Sequence, residues 1–187
     1  MTLNFHLSLL RNSDFSTKYL NWLNDEETNF YSYRRNKNFS QKSLLDFLST
    51  VNKDINSSVY FKIINSKNKL HIGNISLTNI DKFSHFAELG ILIGEKEFWG
   101  KGIGELSVRA VCKFGFNFLN LNRIEIGTYN PAAEKMFKKC GFVVEGIFRN
   151  KLKIKSIYYN ETKMAILKSD FQTQLRKPCL AIEDIKE

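Results

Sequence analysis

In this chain of 187 residues, the segment whose residue types and spacing most clearly suit a chemical role is short and glycine-rich, from Phe98 to Glu105. Its glycines, at positions 100, 102 and 104, stand directly before an amphipathic run from Leu106 to Leu119. Glycine allows positive φ angles and lets a ligand approach the backbone closely. The free N–H groups and the positive dipole end of a helix then favour an anion. The spacing therefore predicts a backbone cradle for a phosphate group; the alternative is a glycine-rich turn that holds no ligand.

Two familiar nucleotide-binding motifs do not fit this segment. A dinucleotide fingerprint requires Gly-x-Gly-x-x-Gly, and after Gly100 and Gly102 its last glycine position is occupied by Glu105. A P-loop requires glycine, four residues and then Gly-Lys-Ser/Thr, a run that this sequence lacks. The predicted phosphate therefore belongs to another class of ligand.

The cysteines give no sign of a metal site or of a disulfide framework. Cys112, Cys140 and Cys179 are widely spaced and odd in number, whereas zinc sites need close pairs of ligands and small secreted domains need even sets. The first eleven residues alternate polar and apolar types, unlike the apolar centre of a signal peptide. No apolar run approaches the roughly 18 residues of a membrane span. We expect a cytoplasmic protein that binds no metal and no membrane.

Charge is a further distinguishing feature. The chain has 28 Lys+Arg against 19 Asp+Glu, a formal net charge of +9. Basic residues cluster at Arg34, Arg35 and Lys37, at 135–139 and at 149–155. Such clusters attract nucleic acid or a small polyanionic ligand, or they form a solvated surface. Because no nucleic-acid motif accompanies them, we expect no nucleic-acid partner.

The elements that must position the glycine segment follow from periodicity and from capping residues. Strands are predicted at 4–9, 59–64, 71–80, 86–93, 123–128, 142–147 and 158–167. Helices are predicted from a Ser13-Asp14 cap to residue 24, after Ser40, after the glycine segment, and from Asn130-Pro131 to a Gly141 cap. The order predicts an α+β fold with a mixed sheet rather than a doubly wound repeat. We expect a single domain at 1–170 and a tail at 171–187.

Four motifs in this order resemble those of one enzyme family. They are ELGILIG at 88–94, FWGKGIG at 98–104, FNFLNLNR at 116–123 and NPAAEKMFKKCGF at 130–142, followed by Glu145-Gly146. Together they resemble the GNAT N-acetyltransferase superfamily, and within it the RimJ/RimL-like branch. The resemblance covers about residues 86–168, and the arrangement of the N-terminal elements agrees with it. It implies a three-layer αβα fold, in which helices flank a central mixed, mostly antiparallel twisted sheet, and it implies acetyl-CoA as the cofactor.

The resemblance also implies which residues hold acetyl-CoA. Backbone amides from Lys101 to Glu105 would bind the pyrophosphate, Trp99 replaces the usual Arg or Gln at the start of the loop, and β-strand residues 91–93 would pair with the pantetheine arm. An amide at Leu92 or Ile93 would polarise the thioester carbonyl. The expected cofactor contacts are Ile91, Leu92, Ile93, Trp99, Gly100, Lys101, Gly102, Ile103, Gly104, Glu105, Asn130, Phe137 and Lys138. The alternative role of Asn130 is that of a helix N-cap, and one residue can serve both roles.

The implied reaction is direct attack of a neutral amine on the thioester. Because an unperturbed ammonium has a pKa of about 10, a proton acceptor is needed, and Glu88 is the expected general base. A solvated strand end is its alternative, and His71 and His85 are further candidates. Many family members carry a tyrosine general acid where this chain has Phe137, which cannot donate a proton. Tyr129, Tyr158 or Tyr159 would have to replace it, or the thiol would leave as thiolate.

The expected acceptor is an amino sugar, free or linked to a nucleotide. Segments 20–35 and 71–75 are similar to those of acetyltransferases that act on amino sugars, and a chain at +9 attracts a sugar diphosphate. Expected acceptor contacts are Trp22, Tyr31, Arg34, Arg35 and His71. The alternatives are the N-terminal amine of a protein, often ribosomal, and a non-catalytic acyl-CoA-binding module. Self-association into a homodimer is compatible with the sequence.

Overall fold

The computed structural model describes residues 4–184, and the chain there folds into eight strands and five helices. The strands are β1 (Phe5–Leu9), β2 (Val59–Asn65), β3 (Leu70–Asp81), β4 (Phe86–Ile93), β5 (Arg123–Thr128), β6 (Val143–Ile154), β7 (Ile157–Leu167) and β8 (Ala181–Ile182). The helices are α1 (Thr17–Asn24), α2 (Gln41–Leu48), α3 (Ile103–Asn117), α4 (Pro131–Lys139) and α5 (Lys168–Phe171).

All eight strands belong to one mixed sheet, in the order β6-β7-β5-β4-β3-β2-β1-β8. Neighbouring strands are antiparallel except for two parallel pairs, β4 with β5 and β1 with β8. The parallel β4–β5 pair is joined by α3, as a parallel connection requires. The predicted fold class, helices flanking a mixed and mostly antiparallel sheet, is confirmed.

Helices cover the two faces of the sheet and create two apolar cores. On one face, α3 buries residues such as Val108 and Val111 against Ile75 and Leu77 of β3. On the other face, α1 and α2 form a second core that contains Leu10, Tyr19, Trp22, Leu23, Leu44 and Leu48. Burial of each large apolar side chain stabilises the fold by about 1.5–3 kcal/mol. Within residues 4–184, none of the helices is both long enough and apolar enough to cross a membrane.

Helix starts follow the capping residues, with one difference from prediction. Ser40 caps α2, and Asn130 caps α4 with Pro131 in its first turn. The cap of α1 is Ser16, whose hydroxyl accepts the Tyr19 N–H at 3.1 Å. The predicted Ser13-Asp14 start is wrong because the Asp14 carboxylate accepts the Arg11 N–H at 2.7 Å and closes a separate 3₁₀ turn.

The basic segment at 149–155 lies in strands, whereas the sequence suggested a connection between two shorter strands. β6 continues to Ile154 and forms a long hairpin with β7. Leu152 and Ile154 are buried against Tyr129, while the alternating residues Lys151, Lys153 and Lys155 are exposed. This alternation has the period of a strand. Burial of the apolar side chains on one face therefore favours a strand over a connecting loop.

The described part of the predicted C-terminal tail packs onto the domain. Phe171 and Leu180 belong to the main core, and β8 adds a parallel strand beside β1. Asp184 accepts hydrogen bonds from the Ser8 hydroxyl at 2.5 Å and from the Leu9 N–H at 2.7 Å. The boundary predicted at residue 170 therefore does not separate a domain from a free tail among residues 171–184.

Candidate active site

The sheet opens between its two central parallel strands. β4 and β5 are paired only at Phe86–Arg123, Ala87–Ile124 and Glu88–Glu125, although β4 continues to Ile93 and β5 to Thr128. Beyond Glu88 the strands diverge and leave a gap, which we call the β4–β5 gap. Backbone groups along its edges lack a strand partner, and a strand edge of this kind can pair with an extended ligand.

The direction of the β4 amides decides which of them face the gap. The Gly94 N–H donates to the Ile72 carbonyl of β3 at 2.9 Å. Because N–H groups alternate in direction along a strand, the amides of Leu92 and Gly90 also point to β3. The amides of Ile91 and Ile93 therefore point into the β4–β5 gap, which favours Ile93 over Leu92 as the donor to a carbonyl there.

The glycine segment ends at α3, beside this gap. Gly100 and Gly102 have positive φ angles, 71° and 78°, and Gly102 is the N-cap of α3 without a side-chain cap. The first-turn amides of Ile103, Gly104 and Glu105 have no acceptor within the helix. An anion placed there would receive these N–H groups and the positive end of the helix dipole. The segment thus fits the phosphate cradle predicted for it.

Side chains around the cradle hold the loop in place. The Trp99 indole N–H donates to the Ile93 carbonyl at 2.8 Å and ties the loop to the end of β4. Lys101 is exposed, with its Nζ 5.3 Å from the centre of the Phe98 ring. The buried Arg109 donates to the Glu105 carboxylate and to the Lys139 carbonyl, both at 2.7 Å. These contacts join the start of α3 to the end of α4.

On α4, the residues predicted to contact the cofactor have different surroundings. The Asn130 side chain accepts the Ala132 N–H at 2.9 Å, so its N-cap role is confirmed. Lys138 is exposed and donates to Glu134 at 2.6 Å. Phe137 is only 1% exposed, and its ring centre lies 5.3 Å from that of Phe142. The expected cofactor contact of Phe137 is therefore wrong, because the main core encloses its side chain.

Alternation along the strands assigns side chains to the two faces of the gap. Ala87 and Leu89 lie in the main core under α3, so Glu88 projects to the opposite face, the one covered by α1 and α2. Glu88 is exposed there and accepts a hydrogen bond from Asn79 at 3.1 Å. It stands at the closed end of the gap, where β4 and β5 are still paired. We call this side of the sheet the acceptor face.

Two predicted acceptor contacts have their side chains engaged within the protein: Trp22 is buried and His71 is half-buried. Trp22 is 5% exposed, lies against Gly94, and donates its indole N–H to Glu95 at 2.7 Å. The His71 ring contacts Tyr19 and Trp22, and its Nε2 lies 3.0 Å from the Gly73 carbonyl oxygen. Burial lowers the pKa of His71 below its usual value. The Trp22 contact is therefore corrected because the side chain is buried, and the His71 contact because Nε2 is occupied by Gly73 and Asn74 and the ring packs on Tyr19 and Trp22.

The other three predicted contacts lie in the segment between α1 and α2. Tyr31 packs edge-on against Phe30 and Tyr159. Arg34 is exposed. The Arg35 guanidinium donates to the Lys153 carbonyl and to the Ser32 carbonyl, and so ties this segment to the β6–β7 hairpin.

A group of polar side chains gathers on the acceptor face, and among them only Tyr129 was a candidate from the sequence. Glu161 of β7 is buried, with Lys163 Nζ 3.4 Å from its Oε1. The hydroxyls of Tyr33 and Tyr129 are hydrogen bonded to each other. Partial burial and, next, the charge of Glu161 raise the pKa of the Tyr33 phenol above its usual value. No local motif marks these residues, since three separate segments bring them together.

Comparison with known proteins identifies a family, curated relatives and solved structures. Residues 4–143 match the family profile described as an acetyltransferase (GNAT) domain. A probable N-acetyltransferase of Bacillus subtilis, YjcK, is 31% identical over 133 residues, which are 70% of this chain and 72% of that protein. The Vibrio cholerae spermidine N-acetyltransferase in complex with CoA and spermine superposes with a TM-score of 0.81, at 25% identity over 90% of this chain and 98% of that one. A dodecameric structure of the same enzyme gives a TM-score of 0.73, at 25% identity over 92% and 99% of the two chains.

Proposed function

The chain belongs to the GNAT acetyltransferase family and is an acetyl-CoA-dependent N-acetyltransferase, and from this premise we propose that a small primary amine attacks the thioester directly in the β4–β5 gap. The observation that carries the proposal is the early end of β4–β5 pairing at Glu88–Glu125. It leaves unpaired backbone groups beside the uncapped start of α3. We place the chain in the RimJ/RimL-like branch on Trp99 and on the motifs around it.

Acetyl-CoA supplies the activated acetyl group. In our proposal the amides at the start of α3 bind its pyrophosphate, and the Ile91 and Ile93 amides pair with the pantetheine arm or the thioester carbonyl. A donor to that carbonyl lowers the barrier because the oxygen gains negative charge in the transition state. We propose that Gly100, Lys101, Asn130 and Lys138 also contact the cofactor.

The amine must lose a proton before it can attack. A primary ammonium with a pKa of about 10 is almost fully protonated at neutral pH. We assign Glu88 as the group that removes this proton, directly or through water, because it stands on the acceptor face at the closed end of the gap. Its exposure gives the proton a path to solvent.

The leaving thiol does not require the tyrosine that Phe137 replaces. A thiol with a pKa of about 8.5 can depart as thiolate at modest cost. The hydroxyl pair of Tyr33 and Tyr129 is the alternative proton source on the acceptor face. Of the three tyrosines considered from the sequence, we therefore favour Tyr129.

For the acceptor, we favour an amine that is joined to an anionic group, such as a nucleotide-linked amino sugar. Arg34 and Arg35 follow Tyr33 directly, and the chain carries a net charge of +9, which repels a polycation. The competing candidate is a polyamine, because the solved relative from Vibrio cholerae is a spermidine N-acetyltransferase bound to spermine. Apart from the reacting amine, the nucleotide-linked sugar is negatively charged and the polyamine is positively charged.

A thiol-release assay tests the function and separates these acceptors. Purified protein is given acetyl-CoA with a nucleotide-linked amino sugar, a free amino sugar, spermidine, or a peptide with a free N-terminus. We expect the fastest release of CoA thiol with the nucleotide-linked sugar. A faster rate with spermidine would overturn the acceptor assignment, and the absence of release with every amine would overturn the proposed function.

We also propose that copies of the chain associate through the β6 edge of the sheet. Exposed apolar side chains gather on this hairpin: Val143, Val144, Ile147, Phe148, Ile157 and Tyr158. An exposed apolar patch on an edge strand is typical of an interface, and one solved relative is dodecameric. Light scattering should find an oligomer, and a monomer at every concentration would contradict this.

For the compartment, we propose the cytoplasm, which suits buried free thiols such as Cys112 and Cys140.

A further inference from the structure

The Glu161 side chain is a buried carboxylate on the acceptor face. It is 6% exposed, and it leans across β5 so that its carboxylate lies over Gly127. A Cβ atom at position 127 would overlap Oε1 and would stand 2.9 Å from Cδ. The carboxylate therefore occupies the space that any other residue at position 127 would fill.

This carboxylate has fewer partners than its burial demands. Its one ion pair within residues 4–184 is with Lys163, at 3.4 Å. No hydrogen-bond donor from the described part of the chain reaches it at bonding geometry. A buried carboxylate ordinarily receives several charge-assisted hydrogen bonds, because burial without them is costly. The carboxylate oxygens of Glu161 can therefore still accept hydrogen bonds from a bound cation.

The Glu161 carboxylate lies close to the β4–β5 gap. Strand β5 separates β7 from the gap, and Gly127 lies two residues, about 6–7 Å, beyond the last paired residue Glu125. Since Gly127 has no side chain, only backbone stands between the carboxylate and the gap. The phenol rings of Tyr33 and Tyr129 meet edge to face, with centres 5.1 Å apart. Tyr33 is close enough to Glu161 for the carboxylate charge, after partial burial, to raise the pKa of its phenol.

We propose that the Glu161 carboxylate binds the ammonium group of the acceptor amine, an assignment that rests on the proposed function. A cation arriving from the acceptor face meets the carboxylate and, beside it, two aromatic rings that favour a positive charge. Lys163 holds the carboxylate in place, and the acceptor ammonium adds the donors that Lys163 does not supply. Glu161 thereby selects the cationic end of the acceptor, while Arg34 and Arg35 attract an anionic remainder.

The role is distinct from the one assigned to Glu88. Glu161 is buried and lies beside the open part of the gap, so it binds the ammonium and sets the affinity for the acceptor. Glu88 is exposed and stands at the closed end, so it removes the proton. The two carboxylates therefore predict different kinetic signatures, the first in KM and the second in kcat.

Glu161→Gln tests the assignment because it removes the charge and keeps the shape. With the amine that wild type acetylates fastest, either spermidine or a nucleotide-linked amino sugar, we expect KM for the amine to rise about 10- to 100-fold. We expect kcat to stay within about threefold and the acetyl-CoA Kd to be unchanged. Glu161→Asp should recover part of the loss. Glu145→Gln, which changes an exposed strand glutamate paired with Arg123, is the matched control.

Calorimetry distinguishes the failure of this proposal from the failure of the proposed function. The same two amines are titrated into protein saturated with CoA. If wild type binds an amine without thiol release and Glu161→Gln does not bind it, the function fails and the Glu161 assignment holds. An unchanged KM in Glu161→Gln overturns the assignment, and so does a wild-type protein that neither acetylates nor binds either amine.

Discussion

The carboxylate of Glu161 lies over the backbone of Gly127, and the absence of a side chain at position 127 is what makes room for it. The two residues lie on neighbouring strands, β7 and β5, and both face the side of the sheet that carries Tyr33 and Tyr129. A small residue on one strand thus sets the position of a charge that belongs to the next strand. A substitution at position 127 can therefore move the Glu161 carboxylate without changing its charge.

Gly127→Ala should displace the Glu161 carboxylate and leave the fold intact. The atoms that would overlap the new methyl group belong to the ends of flexible side chains, Glu161 and Lys163, which can shift at low cost. We expect KM for the amine to rise about tenfold or more with unchanged acetyl-CoA affinity. Gly146→Ala, where nothing lies within 4 Å of the new Cβ, is the control. Wild-type steady-state kinetics in Gly127→Ala would show that the carboxylate position does not matter.

Local sequence signals were sufficient to predict the glycine loop, the helix after it and two helix caps. The alternating glycines and the apolar stripe behind them predicted a loop followed by a helix, and α3 starts at Ile103, three residues before the expected run from Leu106. Ser40 and Asn130 cap their helices because a single side chain close to the cap satisfies a free N–H. Features of this kind depend on residues fewer than five positions apart.

The acceptor side could not be predicted in the same way. Glu161, Tyr33 and Tyr129 are distant in sequence, and only the sheet register and the loop after α1 bring them together. The same limit explains Trp22 and His71, whose polar atoms suggested substrate contacts. Their partners, such as Glu95 and Gly73, satisfy these atoms inside the protein. Burial is a property of the whole fold, and one segment does not reveal it.

Leu180→Ala should destabilise the whole domain, although position 180 lies in the segment expected to be a tail. Leu180 is 3% exposed and belongs to the main core. Removing a buried leucine side chain costs about 2–5 kcal/mol in the free energy of unfolding. Chemical denaturation measures the loss, with Leu175→Ala at a 46% exposed leucine as the matched control. Equal stability of the two variants would mean that the segment does not contribute to the core.

Asp184 should make the C-terminal attachment sensitive to acid. The Ser8 hydroxyl, and also the Leu9 N–H, hold the pKa of Asp184 below its usual value. A depressed carboxyl pKa adds stability that is present above the unfolded pKa, about 4, and is lost as the pH falls through the folded value. The difference in Tm between wild type and Asp184→Asn should therefore be largest near neutral pH and shrink below about pH 4. A difference that stays constant with pH would contradict this.

Gly104→Glu should abolish acetyl-CoA binding without unfolding the protein. A Cβ at position 104 would meet only Ile91 at 3.8 Å and Met136 at 4.0 Å, which are ordinary contacts. The longer side chain would place a negative charge at the start of α3, where the phosphates are expected. Calorimetry with acetyl-CoA measures the effect, and Gly146→Glu, which adds the same charge at an open position, is the control. Normal affinity in Gly104→Glu would remove the phosphate assignment.

Glu88→Gln should lower kcat and leave acetyl-CoA affinity nearly unchanged, because only proton removal from the amine is lost. Removing a general base typically costs about 10²–10⁴-fold in rate, and the lower figure is expected here since exposed Glu88 can be replaced in part by water. The pH–rate profile is the more decisive measurement. The wild-type rate should rise with pH as the amine loses its proton, and the variant should need a higher pH to reach the same fraction of its maximum. Because Glu88 is held by Asn79, Asn79→Ala should produce a smaller shift in the same direction. An unaltered profile in Glu88→Gln would exclude Glu88 from proton transfer and would leave Glu161 as the carboxylate on this face that contacts the amine.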